Sequence, residues 1–338
     1  MPNSQRAGRT VLTLNNKTKY KTIVIVPTLN GGKTVDNLAG GLKKQSLQPD
    51  NILIIDSGST DNTLSAVEMY GFTVYTIPQC QFNHGSTRQL GVQVSQDSDI
   101  IIFLTQDAIL AERDSLRTLV DCFNDDRVGM AYGRQLPVQN ASAISAHARL
   151  FNYPEKNQMR SPADITRFGI KAVFCSNSFA AYRRAALTSV GGFPENIIQN
   201  EDTFVCAKML LEGWSVAYCA NAQVYHSHDY TCIDEFKRYF DIGVFHSRNK
   251  WIMEAFGSAE NEGRKYVISE LKYLAASAPY AIPASLLHTL FKYLGYKFGF
   301  SIERHLPPNI KRKLSMNKAY WTSHCNKSIS SIRRGTAI

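Results

Sequence analysis

The stretch DIIIFLTQDA (residues 99–108) decides the fold class. Ile100 to Leu104 is an unbroken apolar run with the length and β-branched content of a strand that is buried on both faces. The run stops at Thr105-Gln106-Asp107, a polar step that carries one carboxylate. Strands of this kind belong to parallel sheets covered by helices, and ligands bind beyond the carboxyl ends of such strands. The stretch therefore predicts an α/β fold with a binding site near Asp107.

The same succession of strand, polar loop and helix precedes this stretch. TIVIVPTLN (22–30) predicts a buried strand, and apolar residues at helical spacing follow it as far as Leu47. NILIIDSGSTDNT (51–63) repeats the plan, and a third strand (72–77) and a further helix (85–95) lead to Ile100. Strands that alternate with helices in this way indicate a parallel, doubly wound sheet.

After Asp107 the alternation is less regular and predicts a mixed extension of the sheet. The predicted elements are strands over 128–138 and 172–184, a helix over 200–214 capped by Asn200, and a pair of strands over 215–228. Residues 232–300 show a helical, aromatic pattern. Residues 273–291 carry no charged side chain, but their two prolines and several hydroxyl side chains argue against a membrane span. We expect helices that pack on the body or lie at a membrane interface.

The net charge of +10 is concentrated at the C-terminal end of the chain. From Leu271 onward there are eleven Lys and Arg residues and one acid, Glu303, whereas acids and bases balance in the preceding part. Such an end suits an anionic partner, either a membrane surface or a nucleic acid. No nucleic-acid-binding module accompanies it, which favours the membrane surface. A solubilising, partly disordered end is the alternative.

The N-terminal sequence and the cysteines bear on the cellular compartment. Residues 1–20 lack the apolar block that a signal peptide requires. The seven cysteines are scattered, without a Cys-x-x-Cys pair, which is typical of reduced thiols and not of a disulfide or zinc framework. These features predict a cytoplasmic protein.

Polar loops follow two predicted neighbouring strands at the point where each strand ends. Pro27-Thr28-Leu29-Asn30 follows the first strand, and Asp56 opens the loop after the second. Parallel neighbours bring these loops to one edge of the sheet, where a nucleoside could bind. The alternative is that Asp56, Ser59 and Asp61 form only a turn and a helix cap. The joint appearance of both loops favours a site.

Five boxes occur in order along the chain: TIVIVPTLN, IDSGSTDNT, FNHGSTR, FLTQDA and NEDTFVCAKMLLEG. Together they resemble the inverting family 2 glycosyltransferases, which have a GT-A fold. More narrowly, FNHGSTR, FLTQDA, GRQLP, SNSFAAYRR and HSHDYT are similar to bacterial O-antigen rhamnosyltransferases that use dTDP-L-rhamnose. The similarity covers roughly residues 20–320.

The resemblance implies an α/β fold of GT-A type, a doubly wound mixed sheet with a Rossmann-like nucleotide-binding half and a C-terminal helical extension. The implied organisation is a flexible N-terminus (1–20), a GT-A catalytic domain (21–230), a C-terminal helical region (231–300) and a basic tail (301–338).

The resemblance also implies the residues of a donor site. Pro27, Thr28 and Asn30 would line the nucleoside pocket, and Asp56 would accept a hydrogen bond from the imide N–H of the base. Asp61 and Arg88 would lie near the base or the diphosphate, and a guanidinium suits phosphate oxygens because it can bind them bidentately. An ordinary surface arginine is the alternative for Arg88.

Asp107 matches the metal-binding acid of these enzymes. Mg²⁺ or Mn²⁺ takes oxygen ligands and would neutralise charge on the departing dTDP. His226 or His228 is expected as a third ligand or a phosphate contact, and His226 is preferred.

Thr105 stands where enzymes with uridine donors typically carry a first Asp that contacts the ribose hydroxyls. Thymidine donors carry 2-deoxyribose, so a neutral Thr105 or Gln106 would suffice for the 3′-hydroxyl. We therefore hypothesise that the missing acid reflects a dTDP-sugar donor. Simple drift within a tolerant site is the alternative.

Glu201 and Asp202 follow Asn200 at the start of a predicted helix. Acids in a first helical turn are favoured by the helix dipole and need no other reason. In the resembling enzymes, however, the Asp of such a pair is the general base. Asp202 is therefore assigned that role and Glu201 a supporting one, on the expectation that the dipole keeps Asp202 ionised at neutral pH.

The implied reaction is a single displacement at the anomeric carbon, with inversion. The acceptor would be a sugar on a lipid diphosphate at the inner face of the cytoplasmic membrane, which the basic tail would bind; no nucleic-acid partner is expected. Another nucleotide-sugar donor remains open. A sugar nucleotidyltransferase is the alternative of a different class, faintly indicated by NGGKT (30–34), and release of pyrophosphate instead of dTDP would identify it.

Overall fold

The computed structural model describes residues 18–258 and 260–322, and these residues form one nine-stranded sheet covered by helices. The strands are β1 (Thr22–Thr28), β2 (Asn51–Asp56), β3 (Thr73–Thr76), β4 (Ile100–Leu104), β5 (Ile109–Leu110), β6 (Val128–Leu136), β7 (Gln158–Arg160), β8 (Phe179–Arg183) and β9 (Ser215–Tyr225). The predicted flexible N-terminus lies outside the described residues, except for residues 18–20.

Thirteen α-helices are present in the described residues. They are α1 (Val35–Lys43), α2 (Thr63–Met69), α3 (His84–Val94), α4 (Ser115–Asp121), α5 (Ala143–Asn152), α6 (Ile165–Phe168), α7 (Arg184–Ser189), α8 (Glu201–Leu211), α9 (Cys232–Arg248), α10 (Lys250–Phe256), α11 (Glu260–Ser277), α12 (Ile282–Lys297) and α13 (Pro308–Leu314).

The sheet combines a parallel half with a mixed extension. Its strand order is β3-β2-β1-β4-β8-β6-β9-β5, and β7 pairs with β9. Strands β1 to β4 run parallel, β8 runs antiparallel to both β4 and β6, and β9 runs parallel to β6. The predicted doubly wound mixed sheet is therefore confirmed.

Both faces of the parallel half are buried, which explains its continuous apolar runs. Ile23 and Ile25 of β1 belong to the core on one face of the sheet, and Val24 and Val26 belong to the core on the other. All five residues of β4 are fully buried. Side chains of a strand alternate between faces, so a strand covered on both sides needs an apolar residue at every position.

The carboxyl ends of β1, β2 and β4 meet at one crevice. β1 lies between β2 and β4, and the chain leaves β1 toward β2 on one side and returns to β4 on the other. In register, Thr28 faces Asp56 across β1 and β2, and Ile25 faces Phe103 across β1 and β4. Such a switch point is where open α/β sheets bind ligands.

Several predicted elements differ from those observed. Residues 215–228 contain one long strand, β9, and not a strand pair, while residues 169–173 are a 3₁₀ helix, so the predicted strand over 172–184 is limited to β8. Asn200 precedes α8 but has a left-handed backbone (φ 62°) and no capping hydrogen bond from its side chain. The chain turns tightly there, which removes the Asn200 side chain from the helix start.

The described part of the predicted basic tail, residues 301–322, is folded against the body. Glu303 is buried and accepts hydrogen bonds from Arg248 and Lys311, each at 2.7 Å. Four apolar side chains of this segment pack against the core: Leu306, Leu314, Tyr320 and Trp321. The alternative of a disordered end is therefore wrong for residues 301–322. The four apolar side chains are spaced too irregularly along the sequence to indicate this packing. Residues 323–338 lie outside the described part of the chain.

Two further expectations from the sequence concern membrane-spanning helices and the redox state of the cysteines. No helix among the described residues is long and apolar enough to cross a bilayer. Among the cysteines of residues 18–258 and 260–322, five are free thiols: Cys122, Cys175, Cys206, Cys219 and Cys232. Cys80 is instead disulfide-bonded, so the expectation of uniformly reduced thiols is wrong there. Spacing along a sequence does not reveal which distant cysteines pair.

Candidate active site

The loops that follow β1 and β2 hold each other in place. Asn30 has a left-handed backbone (φ 48°), its N–H donates to Ser59 Oγ (2.8 Å), and its side-chain oxygen accepts from the Thr60 N–H (2.9 Å). Asp61 accepts from the Gly32 N–H (3.0 Å) and from the backbone and hydroxyl of Thr63. The Thr63 hydroxyl is the main cause of the lowered pKa of Asp61. Asn30 and Asp61 therefore hold the backbone of the two loops that would form the predicted nucleoside pocket.

Asp56 lies at the tip of β2 and is fully buried. Its carboxylate accepts hydrogen bonds from the N–H groups of Gly58 and Ser59 (both 2.9 Å), from Ser59 Oγ (2.5 Å) and from Thr28 Oγ1 (3.3 Å). These contacts form the turn that was the alternative reading of this residue. Pro27, beside it at the end of β1, is partly buried. The predicted contact of Asp56 with a base stays a prediction.

Gln106 ties the end of β4 to the loop after β1. Its side-chain amide accepts from the Leu29 N–H (2.9 Å) and donates to the Leu29 carbonyl (3.1 Å). Its polar atoms are thus committed to the protein backbone. Thr105 lies one residue earlier, where its N–H donates to the Ser178 carbonyl (3.3 Å). The Thr105 hydroxyl is buried and is one of the groups that lower the pKa of Asp107, so its predicted contact with the ribose stays a prediction.

Asp107, His226 and His228 converge at the end of β4. His226 Nε2 lies 3.5 Å from Asp107 Oδ1, and His228 Nε2 lies 3.3 Å from Asp107 Oδ2. The two Nε2 atoms are 3.1 Å apart, and one ligand atom from each of the three residues lies within 4.8 Å of the others. The structure therefore brings together both histidines with the acid. Burial alone would raise the pKa of Asp107, but the hydrogen bond and charge of His226 and the charge of His228 hold it well below its usual range.

Gln135 on β6 fixes which nitrogen of His226 faces the acid. Its Oε1 accepts from Arg149 Nη1 (2.5 Å), and because arginine can only donate, this contact sets the orientation of the amide. The same Oε1 lies 3.0 Å from His226 Nδ1, which must therefore be the donor. In neutral His226 the lone pair is then on Nε2 and points toward Asp107. An outer partner of this kind is typical of metal-binding histidines, so the donor set fits a divalent cation.

Glu201 begins α8 and is buried in a group of donors. Its Oε1 is 3.1 Å from Arg88 Nη1 and accepts from Asn177 Nδ2 at 2.9 Å. Burial raises the pKa of Glu201, but Arg88, His84 and the Asn177 amide together lower it below its ordinary value. Arg88 is itself buried on α3 and also donates to the His84 carbonyl (3.0 Å). Arg88 is therefore a partner of the acidic pair, which leaves its predicted phosphate contact without support.

Asp202 lies beside Glu201 with both oxygens held by backbone donors. Oδ2 accepts from the Asn177 N–H (3.1 Å) and Oδ1 from the Thr203 N–H (2.7 Å). Burial, followed by the charge of Glu201, raises the pKa of Asp202 to about 7. The expectation that the helix dipole keeps Asp202 fully ionised is therefore wrong. Two acids whose environments drive their pKa values apart suit a proton-transfer site. A general base is most effective when its pKa lies near the pH at which the enzyme works.

Residues 174–178 contact both the group around Asp107 and the acidic pair Glu201 and Asp202. Ser176 Oγ accepts from Gln135 Nε2 (2.9 Å), on the side of the histidines. Asn177 binds both Glu201 and Asp202, and the Asn177 side-chain oxygen accepts from Tyr182 OH (2.6 Å). One short piece of backbone thus sets the position of the Asp107 cluster relative to the acidic pair.

The C-terminal segment reaches the acidic pair through His84. Asn317 Oδ1 lies 3.0 Å from His84 Nε2, and the Asn317 N–H and amide group donate to Asp241 Oδ2, both at 3.0 Å. Burial raises the pKa of Asp241 to about 6. Residues far along the chain therefore support the group around Glu201.

Sequence reasoning assigned no role to Gln135, Arg149, Asn177 or Asn317. Gln135 lies in GRQLP and Asn177 in SNSFAAYRR, two boxes that carried the resemblance. Those boxes were the available signal for both residues. Arg149 and Asn317 lie outside every box, and nothing in the local sequence indicated them.

Comparisons with known proteins agree with this geometry. The profile of glycosyl transferase family 2 matches residues 23–191. The O-antigen chain rhamnosyltransferase RfbN of Salmonella typhimurium is 47% identical over 304 residues, which cover 90% of this chain and 96% of that protein. The O-antigen chain rhamnosyltransferase WbaN of Salmonella anatum is 45% identical over 301 residues, which cover 89% of this chain and 95% of that protein.

Solved structures of low identity share the fold. A mannosyltransferase of Pyrobaculum calidifontis, in complex with GDP-Man and Mn²⁺, superposes with a TM-score of 0.60 at 16% identity and covers 85% of this chain and 89% of its own. S. aureus TarS residues 1–349, in complex with UDP, gives a TM-score of 0.51 at 16% identity and covers 84% of this chain and 91% of its own. The family profile and two relatives at 45–47% identity show that this chain belongs to glycosyl transferase family 2 and is a glycosyltransferase.

Proposed function

We propose that the enzyme transfers L-rhamnose from dTDP-L-rhamnose to a hydroxyl of a lipid-linked saccharide, with inversion, during assembly of an O-antigen or a similar surface polysaccharide. The observation that carries the proposal is the 45–47% identity, over about nine-tenths of the chain, to two O-antigen chain rhamnosyltransferases. The site geometry agrees with a glycosyl transfer that uses one base.

Asp202 is the proposed general base. It accepts the proton of the acceptor hydroxyl as the oxygen forms a bond to the anomeric carbon and the bond from that carbon to the dTDP oxygen breaks. The backbone N–H groups of Asn177 and Thr203 hold the carboxylate still, and burial together with the charge of Glu201 raises the pKa of Asp202 to about 7. Attack from the face opposite the leaving dTDP inverts the anomeric centre.

Asp107, His226 and His228 would hold the divalent cation, Mg²⁺ or Mn²⁺. When bound there, the cation supplies positive charge that stabilises the leaving diphosphate. The residues of the chain provide one carboxylate and two imidazoles whose ligand atoms already lie close together. Arg149, which contacts Gln135, adds a fixed positive charge near the same cluster.

Substitution of Gln135 by Met tests how His226 is oriented. Met has a similar volume but cannot accept the hydrogen bond from Nδ1, so the ring loses its fixed orientation. We expect the Mn²⁺ concentration for half-maximal activity to rise roughly 10- to 100-fold, with turnover largely restored at saturating Mn²⁺. Gln223→Met, which removes an amide contact to the Ala220 carbonyl on β9, is the control. A variant with unchanged Mn²⁺ dependence would show that Gln135 does not position His226.

The donor pocket is proposed from the loops after β1 and β2. Pro27, Thr28 and Asn30 would surround the nucleoside, and Asp56 would meet the base through the turn that it organises. Asp61 would act by holding that turn to Gly32, and Thr105 would lie near the sugar of the nucleoside. Arg88 is better suited to supporting Glu201 than to a phosphate contact.

The proposed acceptor is a saccharide on a lipid diphosphate, and the proposed location is the inner face of the cytoplasmic membrane, where the enzyme is peripheral. Support comes from the uneven charge: residues 271–322 carry eight Lys and Arg residues and one acid. Lys237, Arg312, Lys313 and Lys318 also line a cavity of about 540 Å³. Anionic headgroups attract such basic surfaces.

The donor is tested with a panel of nucleotide-sugars, Mg²⁺ and a synthetic lipid-diphosphate acceptor. We expect dTDP-L-rhamnose to be consumed, dTDP to be released, and NMR of the product to show an inverted anomeric configuration. In calorimetric titration with Mg²⁺, dTDP should bind more tightly than UDP, because Thr105 replaces the acid that would bind a 2′-hydroxyl. Transfer from another donor would contradict the rhamnosyl assignment, and tighter binding of UDP would contradict the interpretation of Thr105.

A further inference from the structure

Helix α12 exposes a row of large apolar side chains. Seven residues on α12 and the turn that follows it are 37–58% exposed: Leu286, Leu287, Leu290, Tyr293, Leu294, Phe298 and Ile302. They recur at intervals of three and four, so they lie along one side of the helix, here called the apolar face. Soluble proteins seldom expose contiguous apolar surface of this kind unless it binds something.

The opposite side of α12 is packed through glycines. A Cβ atom added to Gly295 would lie 2.2 Å from the Phe236 carbonyl oxygen, and one added to Gly299 would lie 1.9 Å from the Phe240 carbonyl oxygen, both on α9. A Cβ atom added to Gly243 of α9 would lie 2.4 Å from the Tyr296 carbonyl oxygen. The helix therefore directs small residues toward the protein and large apolar residues away from it. This is the reverse of an ordinary surface helix.

Residues 282–302, which contain α12 and the turn that follows it, carry two lysines and no acid. Lys297 lies at the end of the same helix and is exposed, while Lys292 is turned inward to Glu235 at 3.3 Å. Lys272 on α11 and Arg304 after the helix are exposed too, and Glu303 is neutralised by Arg248 and Lys311. Two copies joined face to face would bring like charges together, whereas an anionic lipid surface would neutralise them.

We propose that the apolar face of α12 inserts into the headgroup region of an anionic bilayer and lies parallel to its plane. A helix with an apolar side and basic surroundings binds a membrane in this way, through buried apolar area together with attraction to anionic lipids. The purpose of the contact rests on the lipid-linked acceptor proposed above, but its test does not depend on that acceptor.

Insertion of apolar side chains and attraction of basic side chains to lipid predict different effects of salt on membrane binding. Salt at about 1 M shortens the screening length to about 3 Å and removes most attraction between exposed charges and lipid. Burial of apolar side chains is not weakened by salt in this way. Loss of apolar residues should therefore impair binding at both low and high salt, whereas loss of basic residues should matter mainly at low salt.

The experiment is sedimentation of the full chain with vesicles of phosphatidylcholine, with and without phosphatidylglycerol, at low and high salt. We expect Leu287→Glu combined with Leu290→Glu to lower partition into anionic vesicles about tenfold or more at both salt concentrations. Arg312→Gln combined with Lys313→Gln should lower partition only at low salt. Met69→Glu, on exposed α2, is the matched control and should bind like the unaltered protein.

Three results would overturn the proposal. The first is equal vesicle binding by the Leu287/Leu290 variant and the unaltered protein, and the second is an equal loss in the Met69 control. The third is a dimer in analytical ultracentrifugation that the Leu287/Leu290 variant converts to a monomer, since the face would then join two copies. Rhamnosyl transfer to a water-soluble acceptor, measured in parallel, should be unchanged in that variant. Absence of transfer in every protein would refute the proposed function without affecting the vesicle result.

Discussion

Asp202→Asn is expected to lower kcat roughly 100- to 10,000-fold while the affinity for dTDP stays near normal. The amide is nearly the same size, and its one oxygen can still accept a hydrogen bond from either the Asn177 N–H or the Thr203 N–H, but it cannot take a proton from the acceptor hydroxyl. Turnover with dTDP-L-rhamnose and calorimetric binding of dTDP measure the two effects separately. Glu212→Gln, at the far end of α8, is the control.

The pH dependence provides a second measurement on the same residue. Since the pKa of Asp202 is raised to about 7, kcat/KM should rise with pH up to about 7 and then level off, as the carboxylate must be ionised to act.

The raised pKa of Asp202 also makes the stability of the fold depend on pH. The native state favours the protonated form of Asp202, so the unaltered enzyme loses stability as pH rises from the ordinary pKa of 3.8 to about 7. Asp202→Asn should therefore gain melting temperature relative to the unaltered enzyme as pH rises through that window. Normal turnover in Asp202→Asn would eliminate the assignment and make Glu201 the next candidate.

Asp107→Ala is expected to lower turnover on the order of a hundredfold or more and to remove its dependence on Mg²⁺ or Mn²⁺. The carboxylate lies between His226 and His228 and is the anionic member of the cluster, so a dication would lose the ligand that attracts it most. Calorimetric titration of Mn²⁺ into enzyme saturated with dTDP measures metal binding without turnover.

Asp126→Ala is the control for this substitution, because Asp126 is 89% exposed and lies 3.8 Å from Arg183, away from the two histidines. His226→Ala and His228→Ala should each weaken Mn²⁺ binding less than Asp107→Ala does. An Asp107→Ala enzyme that still binds Mn²⁺ and responds to it would place the metal elsewhere.

The parallel half of the sheet could be predicted because its signal is local. Ile100 to Leu104 must be apolar at every position when both faces are covered, and Thr28 and Asp56 are the last residues of two such strands. β9 was mistaken for a strand pair because Asn221 interrupts an otherwise strand-like sequence, whereas the chain absorbs it at a register shift between β6 and β9. Local sequence cannot distinguish a turn from such an irregularity.

The candidate site was predictable in its acids but not in their environment. Asp107 and Asp202 stand at strand and helix ends, where sequence position alone suggests a role. The partners that set their protonation come from elsewhere: Arg88 lies more than a hundred residues before Glu201, and Gln135 about ninety before His226. The raised pKa of Asp202 follows from burial and from the charge of Glu201, which depend on tertiary packing.

The glycine contact between α9 and α12 has a consequence for the length of the acceptor. α9 begins four residues after His228, and its backbone at Gly243 lies against α12 and the turn that follows it, where Gly295 and Gly299 permit the close approach. Few side chains intervene that could repack, so α12 and the site are held at a fixed separation. With α12 lying on a bilayer, the site then stands at a constant height above the lipid. A growing saccharide would present its acceptor hydroxyl at that height at only one stage of its elongation, so the enzyme would select its acceptor by reach as well as by chemistry.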